Sequence, residues 1–148
     1  WLRNFGEYFQ QEYNKTLGVN IKLDANEWGT FQSKTNSGDY QMGYMVWGID
    51  YNDPISMLGL MQSKAGAIPT FWENKEYDEL IVNASIEMNE SKRVEMYKKA
   101  EELLFNGGCA LCPVVNETSH AFRYSYIKNA STLSFTTMGL KKVYTSGR

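Results

Sequence analysis

A chain of 148 residues has the size of one ordinary domain and is long enough to bury a core. Hydrophobic residues make up 43% and charged residues 22%, the balance of a globular fold. The formal charge of -2 leaves no electrostatic footing for nucleic acid or an anionic membrane surface, and no apolar stretch approaches the roughly 20 residues of a membrane-spanning helix.

The opening segment, WLRNFGEYFQQEYNKTLG, carries Trp1, Leu2, Phe5, Tyr8, Phe9, Tyr13 and Leu17 near helical spacing and closes on Gly18, a helix stop. No capping residue precedes Trp1, so the pattern reads as a helix with chain before it. VNIKLDA (19–25) alternates Val19, Ile21, Leu23 and Ala25 with polar partners and predicts a half-buried strand. NEWGTFQSKTNSG (26–38) predicts a short helix with Asn26 as cap and Gly38 as exit. DYQMGYMVWGI (39–49), mostly apolar and aromatic, predicts a central strand covered on both faces. A helix–strand–helix–strand order points to an α/β chain on a mainly parallel sheet.

After residue 50 the rhythm becomes helical. Pro54 suits the first turn of a short helix, PISMLGLMQ, with Asp53 as its N-cap, and residues 63–74 read as a loop. KEYDELIVNASIEM (75–88) predicts a helix with Tyr77, Leu80, Ile81, Ala84 and Met88 along one side. NESKRVEMYKKAEELLFNGG predicts another, capped by Asn89 or Ser91 and stopped at Gly107, with Val94, Tyr97, Ala100, Leu103 and Leu104 as its buried stripe. The end reads as β-rich: CALCPVVNE, HAFRYSY, STLSFTT and LKKVYTS.

Most candidate chemistry falls away on inspection. The glycines are scattered, so no phosphate-cradling loop forms. Cys109 and Cys112 form a CxxC, but they follow a Gly-Gly break and run into a strand-like stretch. A redox pair wants a helix N-terminus instead, and a strand would point the two thiols to opposite faces. His120 is the one histidine, too few for a zinc site, and no nucleophile motif surrounds it. Asp50, Asn52 and Asp53 lie close in sequence, but the glycine and distant glutamate of a calcium loop are missing.

One place holds attention. In MVWGIDYNDP the apolar run breaks at Asp50, with Trp47 just before it and Tyr51 just after. Strand ends in α/β sheets are where ligand crevices form, and an aromatic wall beside a charged anchor is the usual make-up of a pocket. An enzyme could instead pair Asp50 with Asp53 as acid and base, although adjacent turn carboxylates rarely acquire the two differing environments such chemistry needs.

In chain order the segments resemble the C-terminal lobe of the oligopeptide- and dipeptide-binding proteins of ABC importers, extracellular solute-binding family 5. GDYQMGYMVWGIDYNDP is similar to that family's GDYD…W…DYxDP core, ENKEYDELI to its NPEYDxLI helix, and KRVEMYKKAEELLFNGGCALCPVV to its R…Y.KAE.IL…P..PLY run. LGVNIKLDANEW looks like its strand followed by an acidic-Trp helix start. The resemblance implies a periplasmic-binding-protein-like α/β lobe of type II, a mixed sheet flanked by helices, spanning residues 1–148 as one lobe of two that close on an extended peptide.

On that resemblance Asp50 partners the peptide's α-ammonium group and Trp47 lines a side-chain pocket. The backbone of Val46, Trp47, Gly48 and Ile49 pairs with the peptide main chain, with Tyr51 and Asn52 completing the ligand-binding set. The resemblance implies a binding protein rather than an enzyme, with no cofactor and no metal. It implies a monomer whose partners are a short peptide and a membrane permease, held in the periplasm or lipid-anchored at the extracellular face. Relatives in the family carry nickel chelates or oligosaccharides, which are the alternative ligands. One departure stands out: the family often shows aromatics after the late proline, whereas Pro113 leads into Val114, Val115 and Asn116.

Overall fold

The computed structural model describes residues 2–64, 67–106, 108, 110–116, 118, 120, 122–130 and 142–147. The chain divides into two compact units, Trp1–Gln41 and Met42–Arg148.

The first unit has two helices joined by an irregular strap. α1 (Leu2–Leu17) forms where the apolar spacing places it, with Phe9 meeting Phe5 edge-on at 4.8 Å and Tyr13 at 6.2 Å. Gly18, at φ 68°, turns left-handed and ends it, a conformation that costs glycine nothing. α2 (Trp28–Ser37) ends the same way on Gly38 at φ 75°, whose N–H donates to Thr35 while that of Asp39 reaches back to Lys34. Its N-cap is Glu27, without a side-chain capping bond. The expected cap, Asn26, turns its amide back to the Asp24 carbonyl at 3.1 Å.

The expected strand over 19–25 is not formed. Among the described residues no second strand lies beside it, and side chains hold it in place of a ladder. Gln10 donates to the Ile21 carbonyl at 2.6 Å, and Leu23 lies over Gly6 of α1. Lys34 pairs with Asp24 at 2.6 Å, a bond that holds the Asp24 carboxyl below its ordinary range.

The second unit is built on helices. α3 (Ile55–Leu58) continues into a 3-10 turn, Gly59–Met61. α4 (Lys75–Ile86) and α5 (Glu90–Asn106), joined by residues 87–89, pack as a helical hairpin. Leu58, Met61, Tyr77, Ile81, Ala84, Tyr97, Ala100 and Leu104 form the buried core. Val94, expected in the buried stripe, is exposed, and Met88, expected on the apolar side of the helix, lies beyond the end of α4 and is 95% exposed. The apolar period runs on past the stretch where the helices face each other.

Caps fix the helix starts. The Asn74 side chain accepts from the Tyr77 N–H at 3.0 Å, and Asn89 accepts from the Lys92 N–H at 3.1 Å. Ser63 is stitched onto the start of α4, its N–H donating to Asp78 and its hydroxyl accepting from the Asn74 N–H. No described helix is long and apolar enough to cross a membrane.

The β-rich end is reduced among the described residues to β1 (Ile127–Lys128) and β2 (Tyr144–Thr145), antiparallel, with Ile127 opposite Thr145 and Lys128 opposite Tyr144. Residues 110–116 are irregular rather than a strand. STLSFTT, Cys109 and the Gly107 helix stop lie outside the described residues.

Candidate functional site

Residues 42–49, expected as a central strand buried on both faces, have no regular structure. Met42, Tyr44, Val46 and Trp47 are exposed, and only Met45 and Ile49 are half-buried. A strand needs a neighbour to receive its N–H and C=O groups; among the described residues, 45–49 make no ladder bonds. The apolar run therefore lies open, with the Trp47 indole 38% exposed and Gly48 bare beside it.

At the end of this run the chain is suddenly well anchored. The Asp50 N–H donates to Ser56 Oγ at 2.9 Å, and Ser56 is buried. The Asp53 N–H folds back onto the Tyr51 carbonyl at 2.9 Å, and the Ser56 N–H onto the Asp53 carbonyl at 3.0 Å. The Asp53 carboxylate accepts from the Ile55 N–H at 3.0 Å, the capping role its position before Pro54 predicts, and also from the Tyr97 hydroxyl at 3.1 Å. Arg93 Nη1 stands 3.9 Å from its other oxygen. Burial, and then the bond to Asp53, push the Tyr97 hydroxyl up to about 12.

The two acidic residues of the motif thus meet opposite fates. Asp53 faces inward and is committed to three partners. The Asp50 side chain is exposed and, among the described residues, its carboxylate takes no hydrogen bond and no ion pair. Tyr51 and Asn52 are exposed next to it. With Asp53 tied to α5, the two carboxylates do not form a free acid and base pair facing a common substrate.

Sequence reasoning singled out Val46, Trp47, Gly48, Ile49, Asp50, Tyr51 and Asn52, and all fall on this one exposed segment. It missed Ser56, Arg93 and Tyr97. Ser56 carried no signal beyond its place in a short helix. Tyr97 sits 44 residues from Asp53, and its periodicity marks it only as core.

Elsewhere the inventory is plain. Pro113, Val114, Val115 and Asn116 line an open depression of ≈ 260 Å³. Cys112 is a free, exposed thiol, and His120 is exposed. Among the described residues no group of three or more His, Cys, Asp or Glu side chains is placed to hold a metal ion.

Comparison with known proteins supplies the context for this segment. The model of the bacterial extracellular solute-binding proteins, family 5 Middle, matches residues 1–68, which include the whole 46–52 stretch. The oligopeptide-binding protein OppA of Bacillus subtilis (strain 168) is 41% identical over 98 residues, 66% of this chain and 18% of OppA. The dipeptide-binding protein DppE of the same organism is 38% identical over 104 residues, 70% of this chain and 19% of DppE. Among solved structures, a periplasmic oligopeptide-binding protein of Borrelia burgdorferi, OppAIV, superposes with a TM-score of 0.67 at 29% identity, over 74% of this chain and 22% of that one. The chain spans about a fifth of the length of these relatives.

Proposed function

Because the chain belongs to family 5 of the bacterial extracellular solute-binding proteins, we propose that it contributes one lobe of the substrate-binding component of an ABC importer. The complete protein closes two lobes on a short peptide and delivers it to a membrane permease. Asp50 receives the peptide's α-ammonium group, Trp47 walls a side-chain pocket, and the backbone of 46–49 pairs with the peptide as with an added strand. Residues 1–148 act as binding surface, without chemistry of their own. The family's extracellular or periplasmic setting applies to the complete protein, with a lipid anchor as the means of retention outside a cell that lacks a periplasm.

One observation carries this reading: an exposed carboxylate without a partner among the described residues stands at the end of an open, unladdered run, beside a half-exposed indole. Backbone pairing is indifferent to side chains, so it suits a transporter that accepts many peptides. A peptide terminus buried between lobes loses its water and needs an opposite charge. A charge-assisted hydrogen bond of that kind contributes about 1.5–3 kcal/mol, so Asp50→Ala in the complete protein weakens binding by roughly 10- to 100-fold. Calorimetry of the complete protein with trialanine and with N-acetyl-trialanine tests the assignment. The free peptide binds more tightly, and equal affinities remove Asp50 from the role. Binding of a nickel chelate or an oligosaccharide with no binding of either peptide replaces the peptide reading by another ligand of the family.

A further inference from the structure

An exposed side chain on an untethered loop samples many positions, and holding it for a ligand costs conformational entropy at the moment of binding. The segment carrying Asp50 is not untethered. Resting on the reading above, we infer that Ser56 and Tyr97 are positioning residues that pre-set the Asp50 carboxylate for the ligand's cationic group, Ser56 directly and Tyr97 through Asp53.

The geometry has two braces. The first acts on Asp50 itself, whose N–H is held by Ser56 Oγ at 2.9 Å. Ser56 is a buried residue of α3, 6% exposed, so this anchor belongs to the packed unit and not to the surface. The second acts at the other end of the turn. The Tyr97 hydroxyl, from α5, donates to Asp53 Oδ1 at 3.1 Å, while the same oxygen accepts the Ile55 N–H at 3.0 Å. Residues 50–53 are therefore pinned to α3 at one end and to the middle of α5 at the other.

Packing alone does not explain this. A core position on α5 needs the Tyr97 ring, which is 5% exposed, and phenylalanine would fill the same space. Capping Ile55 needs one acceptor, which serine or asparagine would supply. The pairing of a buried hydroxyl with a capping carboxylate adds a link between α5 and the Asp50 turn that neither requirement calls for. Arg93, at 3.9 Å and partly exposed, adds little beyond that link.

The test reads a ratio that a merely structural role would not move: the affinity of the complete protein for trialanine divided by that for N-acetyl-trialanine, both by calorimetry. Tyr97→Phe keeps the ring and removes the link; the ratio falls about three- to tenfold through weaker binding of the free peptide, as expected for one lost positioning bond. Ser56→Ala, which cuts the other brace, lowers the ratio in the same direction and decides the matter alone should Tyr97→Phe fail to fold. Tyr77→Phe removes a buried hydroxyl that bonds Leu58 and not the 50–53 turn; it lowers stability and leaves the ratio unchanged. An unchanged ratio in both brace variants, against a wild type that discriminates, overturns the positioning role alone. A wild type that does not discriminate overturns the Asp50 assignment beneath it.

Discussion

Tyr77→Phe isolates one hydrogen bond in the core of the second unit. Tyr77 is 0% exposed, its ring meets Trp72 edge-on at 5.1 Å, and its hydroxyl donates to the Leu58 carbonyl at 2.6 Å. Phenylalanine keeps the ring, the edge contact and nearly all the buried apolar area, so the transfer contribution cancels in the comparison. What is lost is the donor to a carbonyl in the interior, at a residue that is itself buried. Removing one partner of a buried bond costs about 1–3 kcal/mol, because the remaining group has given up water and gained nothing. With a urea slope of about 2 kcal/mol/M for a chain of this size, the midpoint falls by roughly 0.5–1.5 M. Truncation to alanine adds a cavity and costs about 3–5 kcal/mol. Met88→Ala, at a 95% exposed position, is the matched control and changes stability by less than about 0.5 kcal/mol. Urea unfolding followed by tryptophan fluorescence measures all three. A Tyr77→Phe midpoint equal to that of Met88→Ala would refute the view that the short helix α3 is tied to α4 through this hydroxyl.

Two further outcomes follow from the same unit. The Tyr97 hydroxyl is raised from 10.0 to about 12, by burial first and the Asp53 bond second, so the unfolded chain releases this proton before the folded one. The contribution is complete below pH 10 and is lost as pH rises from 10 through 12, at no more than about 1.4 kcal/mol per pH unit for the group. Urea midpoints measured across that window fall more steeply for wild type than for Tyr97→Phe; parallel declines would contradict the assignment. Gly108→Ala places a methyl group against the Trp72 indole, 2.9 Å from Cδ1 and closer still to Nε1. Trp72 is held by its contact with Tyr77, so the clash costs about 1–3 kcal/mol, seen as a lowered thermal midpoint with altered Trp72 fluorescence.

How much of this was legible beforehand follows the range of each interaction. Helices announce themselves locally: Gly18 and Gly38 end α1 and α2 where their left-handed backbone is needed, and Asp53 caps the turn at Pro54 as its position predicts. The family is legible from motifs in order along the chain, which depend on residue identity alone; the same motifs single out 46–52, which stands as the proposed ligand-binding stretch. Strands are different, because a strand is defined by its neighbour. The alternation of Val19, Ile21, Leu23 and Ala25 is the same whether or not a ladder forms, and the described residues supply none. The apolar run 39–49 was read as buried since apolar residues usually are, yet Val46 and Trp47 lie open. Periodicity likewise cannot say where a facing helix stops, which is why it puts Val94 in the buried stripe and carries the apolar side on to Met88. The links from Tyr97 and Arg93 to Asp53 join segments far apart in sequence and leave no local trace.

Asp50 and Asp53 sit in contrasting environments within one short motif. Two carboxylates three positions apart share the same chemistry, yet they serve different ends. The side chain of Asp53 is used up by Ile55, Tyr97 and Arg93, and so it holds the turn. Asp50 gives its backbone N–H to the same purpose, through Ser56, and keeps its carboxylate outward. A carboxylate that served stability would be expected where Asp53 is, inside hydrogen-bond range of donors, since an exposed charge contributes little to folding. An exposed charge on a braced turn, next to exposed apolar and aromatic groups that gain nothing from water, is costly to explain by stability alone. On the proposed reading it is economical for recognition, because the bracing is done before the ligand arrives and its charge is the one thing left to be matched.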